Sequence, residues 1–264
     1  MDLKEKIIFI AGASGMAAAT ARLALSRGAR IFSVDKNPEA ATALASELSA
    51  HKGSIHTYYA NLAEESSVAA AFEECLKVFG GFDAVFHAIG ISGRRFGDGA
   101  LHECTLNGWE VTQANNATSA FLVSRSALRY FVGREPVAPT NLRGTILNMT
   151  SVLAYSPQKD YFATHAYAAS KGAIISMTRS AAAYYAPLKI NINAIAPGLV
   201  ASPMSIRAQQ DKSIIDFIKH KQPLTETFLS QDEIAQAAVF LLSDAAKNIT
   251  GQVLAIDGGW TVSE

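Results

Sequence analysis

At 264 residues, with hydrophobic side chains at 49% and charged ones at 17%, the chain carries enough apolar material for a large core covered on two faces, which excludes an intrinsically disordered segment. Its 23 basic and 23 acidic side chains cancel, so no surplus of Lys and Arg exists to neutralise a polyanion, and nucleic acid is not an expected partner. No apolar run reaches the length of a membrane span, residues 1–6 lack a signal-peptide pattern, and Cys75 and Cys104 have no metal-ligand spacing, so the expectation is a cytoplasmic protein without membrane or metal.

Short apolar runs alternate with longer helix-like segments, the pattern of βαβ units feeding a parallel sheet. Ile7–Ala11 is apolar throughout, as a strand buried on both faces must be, and an Ala-rich helix follows it as far as Gly28. Arg30–Asp35 reads as the second strand, and Pro38 suits the first turn of a helix over 39–49. Strands follow at 55–60 and 84–88, separated by a helix at 66–79 that Gly80 and Gly81 close. A long helix spans 109–130, a strand 145–150, a helix 166–185 and a strand 190–195. Residues 197–229 read as irregular, with a flexible flap over about 199–229. A helix at 232–242 and a strand at 252–256 complete the chain. The expectation is one α/β domain over 1–264, a doubly wound Rossmann-type sheet of seven parallel strands with helices on both faces.

Gly12-Ala13-Ser14-Gly15 stands between a buried strand and a helix, where a pyrophosphate would meet free backbone N–H groups and the positive end of a helix dipole. Asp35, at the end of the second strand, can accept hydrogen bonds from an adenosine ribose diol and would repel a 2′-phosphate, which favours NAD over NADP. Lys36 beside it works in the opposite sense.

Tyr167 and Lys171 are four apart in a helical segment and so share a face. A phenol titrates too high to act as a base at neutral pH, and a neighbouring ammonium is expected to lower it. Ser151 ends the fifth strand, at the carboxyl edge where open α/β sheets hold ligands, and its hydroxyl can bond an oxygen that gains charge.

With these residues in view, the sequence resembles the short-chain dehydrogenase/reductase family over essentially its whole length. The matching pieces are residues 7–17, 83–90, 109–121, 144–154, 167–171, 193–204 with its Asn-Ala-Ile-Ala-Pro-Gly run, and 249–259, which reads ITGQVLAIDGG. The resemblance implies an NAD(P)-dependent enzyme acting on a CH–OH donor or the corresponding carbonyl. It implies Tyr167 as proton donor or acceptor, Lys171 as its partner and holder of the nicotinamide ribose, and Ser151 as polariser of the carbonyl. Asn116, with Asn115 adjacent, would organise a water that relays protons through Lys171. Cofactor contacts are implied at Gly12, Ser14, Gly15, Met16, Asp35, Asn61, Leu62, Ala88, Gly90, Pro197, Gly198, Val200 and Ser202, as well as at Tyr167 and Lys171. The family is usually a homotetramer or homodimer, with the segment 251–260 then near a subunit contact.

Several positions depart from the family pattern. Either Gly12 and Gly15 form a turn one residue short, or Ala11 stands for the first glycine; in both registers Ala17 replaces the third. His87-Ala88-Ile89-Gly90 stands where Asn-Asn-Ala-Gly is usual, and Asn61 replaces an aspartate. The interval from Ser151 to Tyr167 is long, and residues 155–165 within it would line the substrate site. Arg94 and Arg95 either clamp an anionic substrate group or are a solvated pair, and His165 is more simply a solvated side chain. Ile206, Ile214, Ile215, Phe217 and Ile218 either cover an apolar substrate or pack the flap onto the body. The leading expectation is NAD(H)-dependent interconversion of a secondary alcohol and a ketone. The alternative is a non-catalytic regulator or scaffold that binds cofactor on the same fold, against which stands the intact set Asn116, Ser151, Tyr167 and Lys171. A reductase of activated C=C bonds would carry a wider Tyr–Lys spacing.

Overall fold

The computed structural model describes residues 3–51 and 53–263; Met1 and Asp2, part of the N-terminal stretch read above, lie outside them. Seven strands, β1 (Ile7–Ala11), β2 (Arg30–Asp35), β3 (Ile55–Tyr59), β4 (Ala84–His87), β5 (Gly144–Met149), β6 (Ile190–Pro197) and β7 (Val253–Ile256), form one sheet in the order β3-β2-β1-β4-β5-β6-β7. Every pairing is parallel. The chain winds outward from β1 to β3, then returns to lay β4 on the other side of β1. That reversal opens a crevice between the carboxyl ends of β1 and β4, the place where doubly wound sheets take ligands.

Two layers of helices explain why the central strands are apolar on both faces. On one side α1 (Gly15–Ser26) and α9 (Gln231–Leu242) cover Ile8 and Ile10 of β1. On the other, α3 (Glu65–Phe79) and α5 (Ser119–Val132) meet Phe9, Ala11 and Phe32, with the Phe9 and Phe72 rings stacked at 4.2 Å. α2 (Pro38–Glu47) and α6 (His165–Tyr185) complete the layers. α2 is capped by Asn37, whose side chain accepts from the N–H groups of Glu39 and Ala40, with Pro38 in its first turn.

Two expectations are corrected. The long helix expected at 109–130 is α4 (Leu106–Gln113) joined to α5 through a widened π-turn, Ala114–Thr118. Such a turn inserts one residue per turn without breaking the helical pattern, so periodicity does not reveal it. The stretch expected to be irregular holds α7 (Ile206–Gln210) and α8 (Lys212–Lys221). Asp211 caps α8 by accepting from the N–H of Ser213, and Ile214 and Ile218, one helical turn apart, are fully buried against Ala208, Phe162 and Phe217. Of the two roles weighed for these isoleucines, packing the segment onto the body is the one the fold displays for Ile214 and Ile218, while Ile206 and Ile215 stay exposed.

Candidate active site

β1 delivers the chain into its first turn through Gly12, whose φ of 125° only glycine adopts readily. A Cβ there would stand 2.8 Å from the Ala17 Cβ, so the methyl that replaces a third glycine fills the space that Gly12 leaves bare. Ala11 is the last residue of β1, paired with Val34 and His87, and in the turn that follows Gly12 and Gly15 have positive φ. Ser14 makes no side-chain cap on α1 and no acidic residue occupies the first turn. The N-terminal amides of α1 are thus arranged for an anionic group, as a pyrophosphate would require.

Asp35 Oδ2 accepts from the N–H of Ala13 at 2.9 Å and Oδ1 from that of Asn37 at 2.9 Å, which fixes the carboxylate beside the turn with lone pairs to spare. The Lys36 ammonium reaches away to Asn115 Oδ1 at 2.5 Å. Asn61 spends its amide on Glu64 at 2.6 Å and its carbonyl on the N–H of Ala63 at 3.3 Å, so its side chain shapes the turn into α3. The Leu62 side chain is buried in the core.

Deeper in the crevice, Gly90 is flanked so closely that a Cβ would lie 3.1 Å from both Asn116 Oδ1 and Lys171 Nζ. The π-turn carries Asn116 into the interior, where it donates to Ile91 O at 3.0 Å and Ser170 Oγ at 2.9 Å and accepts from the N–H of Ile91 at 2.8 Å. Lys171 is 3% exposed, and its Nζ donates to Met149 O at 3.0 Å and lies 5.7 Å from the Tyr167 ring centroid. Burial lowers its pKa from 10.5 to about 8. Burial holds the pKa of Tyr167 above the ordinary phenol value, the nearby Ser151 hydroxyl acting in the opposite direction. The expected lowering of the phenol by Lys171 is therefore corrected: the ammonium is itself desolvated and bonds a main-chain carbonyl.

His87 is a further departure with a structural consequence. Its ring is fully buried, Nε2 shares a hydrogen bond with Ser119 Oγ at 2.9 Å, and Nδ1 has no partner among the described residues. Burial first, and the charge of Lys171 second, push its pKa down to about 3, so the ring is neutral beside the cation.

Met16, Ala88, Gly90, Ser151, Tyr167, Lys171, Pro197, Gly198, Val200 and Ser202 all border one cleft of about 970 Å³ that opens to solvent. Phe162, Leu199, Val152 and Trp260 give it apolar walls. Of the segment 155–165, Phe162 and Thr164 reach the cleft, while His165 is exposed. Gly12, Ser14, Gly15 and Asp35 form the adjoining turn, and Asn116 stands behind Gly90. This continuous path, with a bare-backbone turn at one end and Tyr167 at the other, fits a dinucleotide lying across the carboxyl edge of the sheet.

Two residues that shape the site were not singled out from sequence. Asp98, 6% exposed, accepts from the N–H of Ala166 at 2.9 Å and from that of Tyr167 at 3.0 Å, capping the first turn of α6 from a distant loop. Its signal was an acidic residue between Gly97 and Gly99, which reads as a plain turn. Gln222, fully buried, accepts from the N–H of Leu199 at 2.5 Å and donates to Thr227 O at 2.8 Å, pinning the turn after β6. Among the described residues no cluster of His, Cys, Asp and Glu is placed to hold a metal, and no helix is long and apolar enough to cross a membrane.

Comparison with known proteins matches this architecture. A family model described as Enoyl-(Acyl carrier protein) reductase matches residues 10–261. D-threitol dehydrogenase of Mycolicibacterium smegmatis is 33% identical, over 98% of this chain and 94% of that protein. 2,5-dichloro-2,5-cyclohexadiene-1,4-diol dehydrogenase of Sphingobium indicum is 32% identical, over 98% of both. The structure of 3-ketoacyl-(acyl-carrier-protein) reductase from Brucella melitensis complexed with NADH shows 27% identity and a TM-score of 0.85, covering 99% of this chain and 100% of that one. A short-chain type dehydrogenase/reductase from Mycobacterium ulcerans, at 23% identity and a TM-score of 0.90, covers 100% of this chain and 92% of its own and shares the fold.

Proposed function

The chain belongs to the short-chain dehydrogenase/reductase family, as an oxidoreductase of CH–OH donors, and on that premise we propose that it interconverts a secondary alcohol and a ketone with NAD(H), Tyr167 serving as acid and base. The observation that carries this reading is the convergence of the Ser151 and Tyr167 hydroxyls and the Lys171 ammonium in one largely apolar cleft. A nicotinamide dinucleotide, when bound, supplies or takes the hydride. The turn at Gly12–Gly15, with Asp35 beside it, would hold its adenosine and pyrophosphate, and Tyr167, Lys171, Pro197 and Ser202 its nicotinamide end. The choice of NAD over NADP is supported by a carboxylate fixed at Asp35 and by the engagement of Lys36 with Asn115.

In the reduction direction the chemistry of these side chains is direct. The phenol of Tyr167, kept protonated by burial, has a proton to deliver to the oxygen of a carbonyl as it becomes an alkoxide. Ser151 Oγ is positioned at the N-terminus of a short turn, where it accepts from the N–H of Leu153 at 3.3 Å, and its own proton is available to the same oxygen. The charge of the buried Lys171 stabilises negative charge growing on either oxygen. In oxidation the same groups run in reverse.

We further read residues 1–264 as a single catalytic domain and propose a homo-oligomer, tested below. The central test is Tyr167→Phe. Turnover should fall to background while NADH binding, followed by its fluorescence, stays within about two-fold of the native protein, since the hydroxyl acts chiefly in the transition state. Near-native turnover in this variant would refute the assignment.

A further inference from the structure

The mouth of the cleft carries an arrangement that the reading above leaves unused. Arg94, in the loop after β4, and Arg207, in the first turn of α7, each place Nη2 on the same oxygen, Tyr161 O, at 2.9 Å and 3.1 Å. Arg207 borders the cleft, and Tyr161 precedes Phe162 in its wall. Two cations from separate elements thus meet on one neutral carbonyl. A carbonyl offers two lone pairs and no charge, whereas each guanidinium has five N–H donors in a planar fork suited to a carboxylate. Among the described residues no carboxylate comes within hydrogen-bonding distance of either guanidinium. Asp98 takes the amides of α6, and Asp211 takes Ser213 and stands 4.0 Å from Arg207 Nη1. The pKa of Arg94 is lowered by burial first and by the charge of Arg207 second, with Asp98 opposing.

We infer that Arg94 and Arg207 form an anion subsite, and that the substrate is a hydroxy or oxo carboxylic acid whose carboxylate is separated from the reacting carbon by an apolar body. The chemistry gathered at the cleft supports this: the hydroxyls of Ser151 and Tyr167, the apolar Val152, Leu199, Phe162 and Trp260, and Arg207 all line it, and Arg94 joins Arg207 on Tyr161 O. A carboxylate there would replace a neutral acceptor by an anion and relieve the repulsion between the two cations. The inference deepens the proposed alcohol–ketone chemistry and rests on it for the substrate, but the subsite is testable without turnover.

The test is calorimetric titration of the full chain with hexanoate and with hexanamide, which differ in charge at similar size. Hexanoate should bind about ten-fold more tightly or better, the worth of a charge-assisted hydrogen-bonded pair. That preference should fall below about two-fold in Arg94→Gln and in Arg207→Gln, and survive in part in Arg94→Lys, which keeps the charge and loses the fork. Arg95→Gln, a neighbouring arginine whose guanidinium lies over the Phe96 ring, should leave the preference intact and controls for general charge. Equal or undetectable binding of the two ligands, or a preference that survives in either glutamine variant, would overturn the subsite. Titrating Tyr167→Phe alongside separates the two readings: an intact preference for hexanoate together with undiminished turnover would sink the catalytic assignment and leave the subsite standing.

Discussion

Lys171 brings a positive charge to a place nearly without water, and the fold meets only part of that cost. Its ammonium has Met149 O as an acceptor, the neutral ring of His87 nearby and no carboxylate partner in the contacts described, which is why its pKa falls from 10.5 to about 8. The linkage has a definite sign. Below pH 8 both folded and unfolded chains carry the proton, and the burden of burying it is constant. Between about pH 8 and 10.5 the unfolded chain keeps a proton that the folded chain has released, so the contribution of this residue to stability rises with pH, by roughly 3 kcal/mol across the window. Denaturant midpoints of the native chain and of Lys171→Met, compared at the two ends of that window, should therefore diverge in favour of the native chain as pH rises. A difference that stays flat would mean that Lys171 is not desolvated as the fold implies. The same residue shows where sequence reasoning stopped short. Spacing of four put Lys171 and Tyr167 on one helix face correctly, but spacing carries no information on desolvation, which here leaves the phenol above its ordinary value.

At the scale of elements, α6 is the scaffold on which the chemistry hangs, and it is anchored at points remote in sequence. Thr150 Oγ1 donates to Lys171 O at 2.8 Å, tying the helix to the end of β5, and Asn116 Nδ2 donates to Ser170 Oγ, tying it to the π-turn. Its first turn is held by Asp98, because Thr164 at its N-cap makes no side-chain cap. Asp98→Ala leaves two buried amides without an acceptor, and should cost about 2 kcal/mol of stability and at least ten-fold in kcat, with NADH affinity nearly unchanged. Melting, turnover and NADH titration on one preparation would check it, and native kcat in a folded variant would show that Asp98 does not position Tyr167. Strands β1 and β2 were legible to the residue, because β1 is an unbroken apolar run, as a strand buried on both faces must be, and the β-branched and aromatic Ile31, Phe32 and Val34 mark β2 between Gly28 and Pro38. The π-turn was hidden inside a continuous helical pattern, α8 behind a surface of Lys, Asp and His that masks a two-residue apolar stripe, and Asp98 behind the reach of a loop that folds back 68 residues onto α6.

The whole molecule leaves two separate apolar surfaces, a helix face and a sheet edge. One is the outer face of α5 and α6, where Phe121, Val132 and Tyr184 are 46%, 41% and 72% exposed beside Leu128 and Met177. The other is β7, which among the described residues pairs with β6 alone and so presents an open strand edge, with Leu254 40% exposed. A bare edge and a ridge of exposed aromatics are liabilities in a solitary chain and are commonly covered by a second copy. If each surface meets its own kind, two separate two-fold contacts combine into a closed tetramer, and breaking one of them leaves a dimer held by the other. The native protein should then scatter light as about four chains of 28.1 kDa. Phe121→Glu, which sets a carboxylate on the helical ridge, and Leu254→Glu, which sets one on the strand, should each give roughly half that mass, and the double variant a single chain. A native mass of one chain would sink the assembly outright, because neither substitution would then have a contact to break, and both surfaces would have to be ordinary exposed apolar area on a monomer.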